Sequence, residues 1–211
     1  METKIQLTIE SLNLTQKISN EINDQTFHHH YHVLYDIANI YPERYTLTYV
    51  EIGCYAGGSA CLMLQRPNTN VISIDLGTPI HENIVYTNIK KLNTLNNHYT
   101  YLKGNSQTNE MVSRLSNLIN EIDILFIDGD HSYHGVINDF MLYEHLVKQG
   151  GYIIFDDYND IDHSPEVKVA VNDIIASHAQ NYNIIGTLPN IYNARPKWLT
   201  DSNDFIIQKN I

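Results

Sequence analysis

Apolar residues recur along the chain in two rhythms. Short runs in which nearly every residue is apolar alternate with longer segments whose apolar residues fall three or four apart. The runs are Leu47 to Ile52, Val71 to Ile74, Tyr99 to Leu102, Ile122 to Ile127 and Tyr152 to Phe155. Runs of this length read as buried strands. Between them lie helical patterns over Ser59 to Gln65, His81 to Leu95, Ser106 to Ile119 and Gly135 to Val147. In the third of these, Met111, Leu115 and Leu118 are expected to face inward, and Gly150 is expected to stop the fourth by C-terminal glycine logic. A helix over Pro165 to His178 and two last strands, Tyr182 to Gly186 and Phe205 to Gln208, follow. Upstream, Val33, Leu34, Ile37 and Ile40 have helical spacing within Phe27 to Tyr41, and Pro42 ends that helix.

Strands that alternate with helices predict parallel β-α units with right-handed crossovers. The expected fold is α/β: a Rossmann-like, doubly wound, mainly parallel seven-stranded sheet, with helices on both faces and an antiparallel last strand. Residues 1–26 are polar with scattered apolar residues, Ile18 and Ile22 fitting one helical face, and read as an N-terminal arm or loosely docked extension. Residues 27–211 then form a single domain. The loop from Thr187 to Asn203 is long enough for a lid, although a packed flap fits equally.

Composition narrows the class. The formal net charge of −11 over 211 residues argues against a broad nucleic-acid surface. No apolar run reaches membrane-spanning length. Cys54 and Cys61 alone do not make a disulfide scaffold or a cysteine zinc site, so a reducing cytoplasm is the default.

The candidate chemistry gathers at strand ends, where open α/β sheets bind ligands. The first strand runs into Gly53, Gly57 and Gly58 and then a helix. Such a turn lets backbone approach a ligand and aims free N–H groups at it. Its spacing is not that of dinucleotide binders. Asp75 ends the second strand, placed to accept from ribose hydroxyls. The fourth ends in Asp128, Asp130 and His131, and the fifth in Asp156 and Asp157. Carboxylates clustered there with an imidazole suit a divalent cation and a base. His28, His29, His30 and His32 precede the first helix body; they read as a polar helix start, or as groups reaching over the site. His134 reads as structural.

These stretches together resemble class I S-adenosylmethionine-dependent methyltransferases, and more narrowly the metal-dependent O-methyltransferases of the catechol and macrolide-sugar types. The resemblance spans about Tyr31 to Tyr158. YVEIGCYAGGSA is similar to the first methyltransferase motif, which implies that Glu51, Gly53, Tyr55, Gly57 and Ser59 surround the methionine half of the cofactor. It puts Asp75 on the ribose, and Ser106 and Gln107, with Asn105 beside them, near the adenine. Asp128 takes the first metal position, bordering both cofactor and reaction centre, and Asp156 and Asp157 take the other two, with Asp130 as a rival ligand. The catechol enzymes carry Asp-Asn where this chain has Asp-Asp, and a lysine base where it has His131. The implied function is Mg²⁺-dependent O-methylation of a small molecule, a sugar or glycan precursor first, a catechol-like diol second. Sheets of this type often pair through surface helices, so a homo-oligomer is compatible. A metal-dependent hydrolase, an NAD-dependent oxidoreductase and a non-catalytic binding module are the competing classes. Of these the oxidoreductase fits least, for want of the glycine spacing.

Overall fold

A computed structural model describes residues 5–22, 31–189 and 203–211. Seven strands form one sheet in the order β3-β2-β1-β4-β5-β7-β6. They are β1 (Leu47–Ile52), β2 (Thr69–Asp75), β3 (His98–Lys103), β4 (Ile122–Ile127), β5 (Val147–Phe155), β6 (Tyr182–Gly186) and β7 (Phe205–Lys209). The first five pair in parallel, and β7 runs antiparallel between β5 and β6. The doubly wound sheet expected from the alternation is therefore present, with its antiparallel last strand.

The helices are α1 (Ile9–Glu21), α2 (His32–Ala38), α3 (Gly58–Met63), α4 (Pro79–Leu92), α5 (Asn109–Ser116), α6 (Tyr133–Tyr143) and α7 (Pro165–His178). Strand residues alternate between two cores, as a period of two requires. Ile124, Phe126 and Ile154 join Leu34, Leu62 and Val85 on the face of α1 to α4. Leu125, Ile127 and Ile153 join Leu115, Phe140 and Val171 on the face of α5 to α7. β4 is buried at all six positions, and from Ile124 to Ile127 nothing polar interrupts it before Asp128.

Three expectations are corrected. Residues 9–21 are not loosely attached: they form α1, capped by the Thr8 hydroxyl. Asp36 of α2 accepts hydrogen bonds from Thr8 and Ser11, and Ile18 is buried in the core. The signal was weak because polar Ser11 and Thr15 fill inward positions. Secondly, α6 ends at Tyr143, and β5 begins at Val147 and runs through Gly150 and Gly151. Gly150 has φ +75°, and the pairing with β4 shifts register just there, so the glycines make a bulge rather than a helix cap. Thirdly, α5 stops at Ser116, which leaves Leu118 exposed. His28, His29, His30 and most of the Thr187 to Asn203 loop lie outside the described residues.

Candidate active site

The sheet's carboxyl edge is stitched together past the strand ends. The Gly53 amide donates to the Ile74 carbonyl at 2.8 Å, Asp128 to Ile52 at 2.8 Å, and Asp156 to Ile127 at 3.0 Å. The loops after β1, β2, β3, β4 and β5 thus meet around one cavity of about 630 Å³, an ordinary size for a small-molecule site. Gly53 is obligatory there: its φ is +84°, and a Cβ on it would lie 1.9 Å from the Asp128 carbonyl oxygen.

On the β1–β2 side every acid is satisfied. Glu51 is fully buried and accepts from Ser59 at 2.5 Å, Ser73 at 2.6 Å and Tyr49 at 3.0 Å. Burial outweighs those bonds and pushes its carboxyl up to about 7. Asp75 accepts from the Cys54 and Tyr55 amides with one oxygen and from Gly77 with the other. It thereby folds the glycine turn, and its remaining lone pairs stay available to a ligand. Tyr55 rises from this turn with φ +44°, its ring 4.6 Å from that of His81. Ser106 and Gln107 line the same cavity, as does Gly129.

The β4–β5 side differs. Asp128 is held well above the usual carboxylate range, first by burial and then by repulsion from Asp156 and Asp157. The Tyr31 hydroxyl donates to its Oδ2 at 3.3 Å. Tyr31 is buried, its ring edge-on to Phe126, and burial with these acids pushes its phenol far up, so it keeps its hydrogen for donation to Asp128. His131 stands between two acids: Nε2 is 3.3 Å from Asp128 Oδ1 and Nδ1 is 3.3 Å from Asp157 Oδ2. Asp156 accepts from the amide of Asp157, which sits at φ +56°. The buried Ser164 hydroxyl contacts both Asp157 and His131.

The structure therefore brings Asp128, His131, Asp156 and Asp157 together. Asp128, His131 and Asp157 line the cavity with Gly53, Tyr55, Asp75, Ser106 and Gln107. Glu51, Gly57, Ser59 and Asp156 do not line it. Glu51 and Ser59 bind one another beneath it, and Gly57 caps α3 with φ +79°. Asp130 turns towards Ser132 and Gln107, away from the acid cluster, and the Ser132 amide holds its carboxyl below the usual range. His134 packs its ring 5.3 Å from that of Tyr133. Among the described residues, no three His, Cys, Asp or Glu side chains close on a point that could hold an ion. Sequence reading missed Tyr31 and Ser164. Tyr31 was hidden in a histidine-rich helix start. Ser164 carried the only usable signal, a serine just before the proline that opens a helix, and that signal points to a cap.

A parallel sheet with a glycine turn, a β2 acid and an acidic β4–β5 rim around one cavity defines a class I methyltransferase architecture. Residues 50–158 match the family described as a methyltransferase domain, and the chain belongs to that family. S-adenosylmethionine is accordingly its methyl donor. The chain is 42% identical over 181 residues to an uncharacterized protein of Acanthamoeba polyphaga mimivirus, covering 82% of this chain and 81% of that one. It is also similar to the O-methyltransferase TomG of Streptomyces achromogenes, solved with S-adenosylmethionine (TM-score 0.66, 12% identity, 97% of this chain and 91% of that). The MycE methyltransferase of mycinamycin biosynthesis, solved with Mg and S-adenosylhomocysteine, is a third relative (TM-score 0.61, 16% identity), matched over 95% of this chain and 54% of its own. At these identities the two structures speak for the fold.

Proposed function

We propose that this methyltransferase acts on oxygen, moving the methyl group to a hydroxyl of a neutral or amine-bearing small molecule, first a sugar, with the help of a divalent cation such as Mg²⁺. The observation that carries the reading is the continuity of one cavity from Asp75, Ser106 and Gln107 to Asp128, His131 and Asp157. Donor and acceptor can therefore meet without leaving it. Among the described residues the cavity is lined by Asp75, Asp128, Asp130 and Asp157 and by no lysine or arginine. That charge disfavours phosphorylated or other polyanionic acceptors.

The oxygen-only donor set of Asp128, Asp156 and Asp157 fits a hard cation in chemistry. It also needs one electrostatically, because three neighbouring carboxylates repel each other. Their side chains must turn inward to hold it, since the described arrangement does not close on an ion. When bound, the sulfonium supplies an electrophilic methyl group, and the cation supplies Lewis acidity to an acceptor hydroxyl. The chain does the rest. Asp75, Ser106 and Gln107 orient the nucleoside. Tyr31 holds Asp128 in place, and His131 takes the proton as the hydroxyl attacks in line.

Calorimetry with S-adenosylhomocysteine, with and without Mg²⁺, followed by a screen of sugars and catechol-like diols, tests the reading. Binding of the nucleoside and EDTA-sensitive methylation of a hydroxyl are expected, along with loss of activity in Asp156→Ala. Undiminished turnover in EDTA would remove the cation from the scheme, and methylation confined to nitrogen or carbon acceptors would overturn the oxygen assignment. Turnover by diols alone would replace the sugar.

A further inference from the structure

We propose that Asp139 and Tyr143 are positioning residues that hold Ser106 from behind, and so set the wall against which the nucleoside rests. The inference rests on the placement of Ser106 beside the nucleoside in the reading above. The two residues stand four apart on α6, so they share one face of that helix. Both are wholly buried. The Tyr143 hydroxyl donates to the Ser106 carbonyl at 2.8 Å. One position before Asp139, the Asn138 amide donates to Gln107 Oε1 at 3.4 Å. Helix α6 thus backs both residues of that wall.

Asp139 is the anomaly of the helix. Its neighbours Val136 and Phe140 are apolar and belong to the core. Among the described residues, neither oxygen of Asp139 has a hydrogen-bond partner. A buried acceptor left in that condition is costly, and folded proteins keep few of them. The carboxyl is wedged behind two loops that line the cavity. A Cβ added to Gly129 would lie 3.4 Å from Asp139 Oδ2. The Ser106 side chain is near enough to pull the carboxyl down somewhat, without closing a hydrogen bond. Burial still raises it to about 6. Above that value the group is ionised and only accepts, whereas a serine hydroxyl can rotate and donate. A turn of the Ser106 side chain gives the carboxyl its missing donor. Asp139 then fixes the side chain of Ser106 as Tyr143 fixes its backbone. An apolar residue of the same shape would suit the fold better, so the acid is explained by what it does for Ser106.

Calorimetry with S-adenosylhomocysteine on the full-length protein, at about pH 8 where Asp139 is ionised, tests the brace. Asp139→Leu keeps the shape of the acid without its oxygens, and should weaken binding about tenfold, the usual effect of one hydrogen bond. Asp139→Asn keeps an acceptor oxygen and should recover most of that affinity, which a purely structural role would not require. Ser106→Ala should match Asp139→Leu, and the double variant should bind no worse than either, because both remove the same contact. Full affinity in Asp139→Leu, no recovery in Asp139→Asn, or losses that multiply in the double variant would each overturn the proposal. If Ser106→Ala weakens binding and Asp139→Leu does not, the nucleoside site stands and only the brace is lost. If Ser106→Ala binds as the native protein does, the placement of Ser106 beside the nucleoside fails as well. Should Asp139→Leu not fold, Tyr143→Phe, which removes a single oxygen, decides: weaker binding supports the brace and native affinity overturns it.

Discussion

The two halves of the cavity are built on opposite electrostatic terms. On the β1–β2 side, Glu51 has three hydroxyl donors and Asp75 three backbone amides. On the β4–β5 side, Asp128, Asp156 and Asp157 face each other, with Tyr31, His131 and Ser164 as the side-chain groups drawn into the cluster. One half is a finished cradle that needs nothing from its ligand to keep its shape. The other stores repulsion that a cation or a proton relieves. Preorganisation serves binding, and unrelieved charge serves chemistry that develops later, a common division within active sites.

Asp128→Asn breaks the contrast most sharply. Turnover should fall by roughly 10³-fold, while the cation-free protein gains about 1–3 kcal/mol because a buried like-charge contact is gone. A urea titration alongside a methylation assay measures both. Loss of stability would show that Asp128 is not strained by its neighbours.

Glu51→Gln tests the finished half. Its carboxyl is raised to about 7, against an ordinary value near 4.5. A raised acid contributes most to stability when protonated, below its unfolded value, and loses that contribution as pH climbs to the folded value. The native protein should thus lose about 3 kcal/mol from this group between about pH 4.5 and pH 7. Denaturant midpoints in Glu51→Gln should be flatter across that window. Parallel curves for the two proteins would mean that the hydroxyl cage keeps Glu51 ionised throughout.

Asp130→Asn should do least. Because its carboxylate faces Ser132 and Gln107, half-saturating Mg²⁺ should move less than about twofold, within the noise of exposed contacts. A larger shift, read from activity against Mg²⁺ concentration, would return Asp130 to the ligand set.

The sheet was legible because Ile124 to Ile127 of β4 and Tyr152 to Phe155 of β5 are buried on both faces, and such stretches leave unbroken apolar runs. The acids at their ends were legible for the same reason, since a carboxylate that closes such a run stands out. Helix α1 was obscured because Ser11 and Thr15 point inward and bond to Asp36 and to backbone, a tertiary arrangement with no local periodicity. Gly150 looked like a helix stop because a bulge and a cap ask for the same residue. Glu51 and Ser59 matched a binding motif, yet they meet beneath the cavity. A motif shows which residues gather, and packing decides which of them face outward. Ser164 went unnoticed because nothing local reveals that its hydroxyl is spent on Asp157 and His131.

The strand that flanks the acidic rim is a late arrival in the chain. β7 pairs Phe205 with Phe155 and slots between β5 and β6, which both precede it. In a growing polypeptide the bare margin of β5, ending at Asp156, stays without its neighbour until residues 205–209 have been synthesised. So distant a pairing is slow to form, and an open margin invites strands from other molecules. The newborn enzyme is thus most prone to aggregate at the strand that carries two of its acids, and a chaperone that shields this margin would raise the yield of active protein.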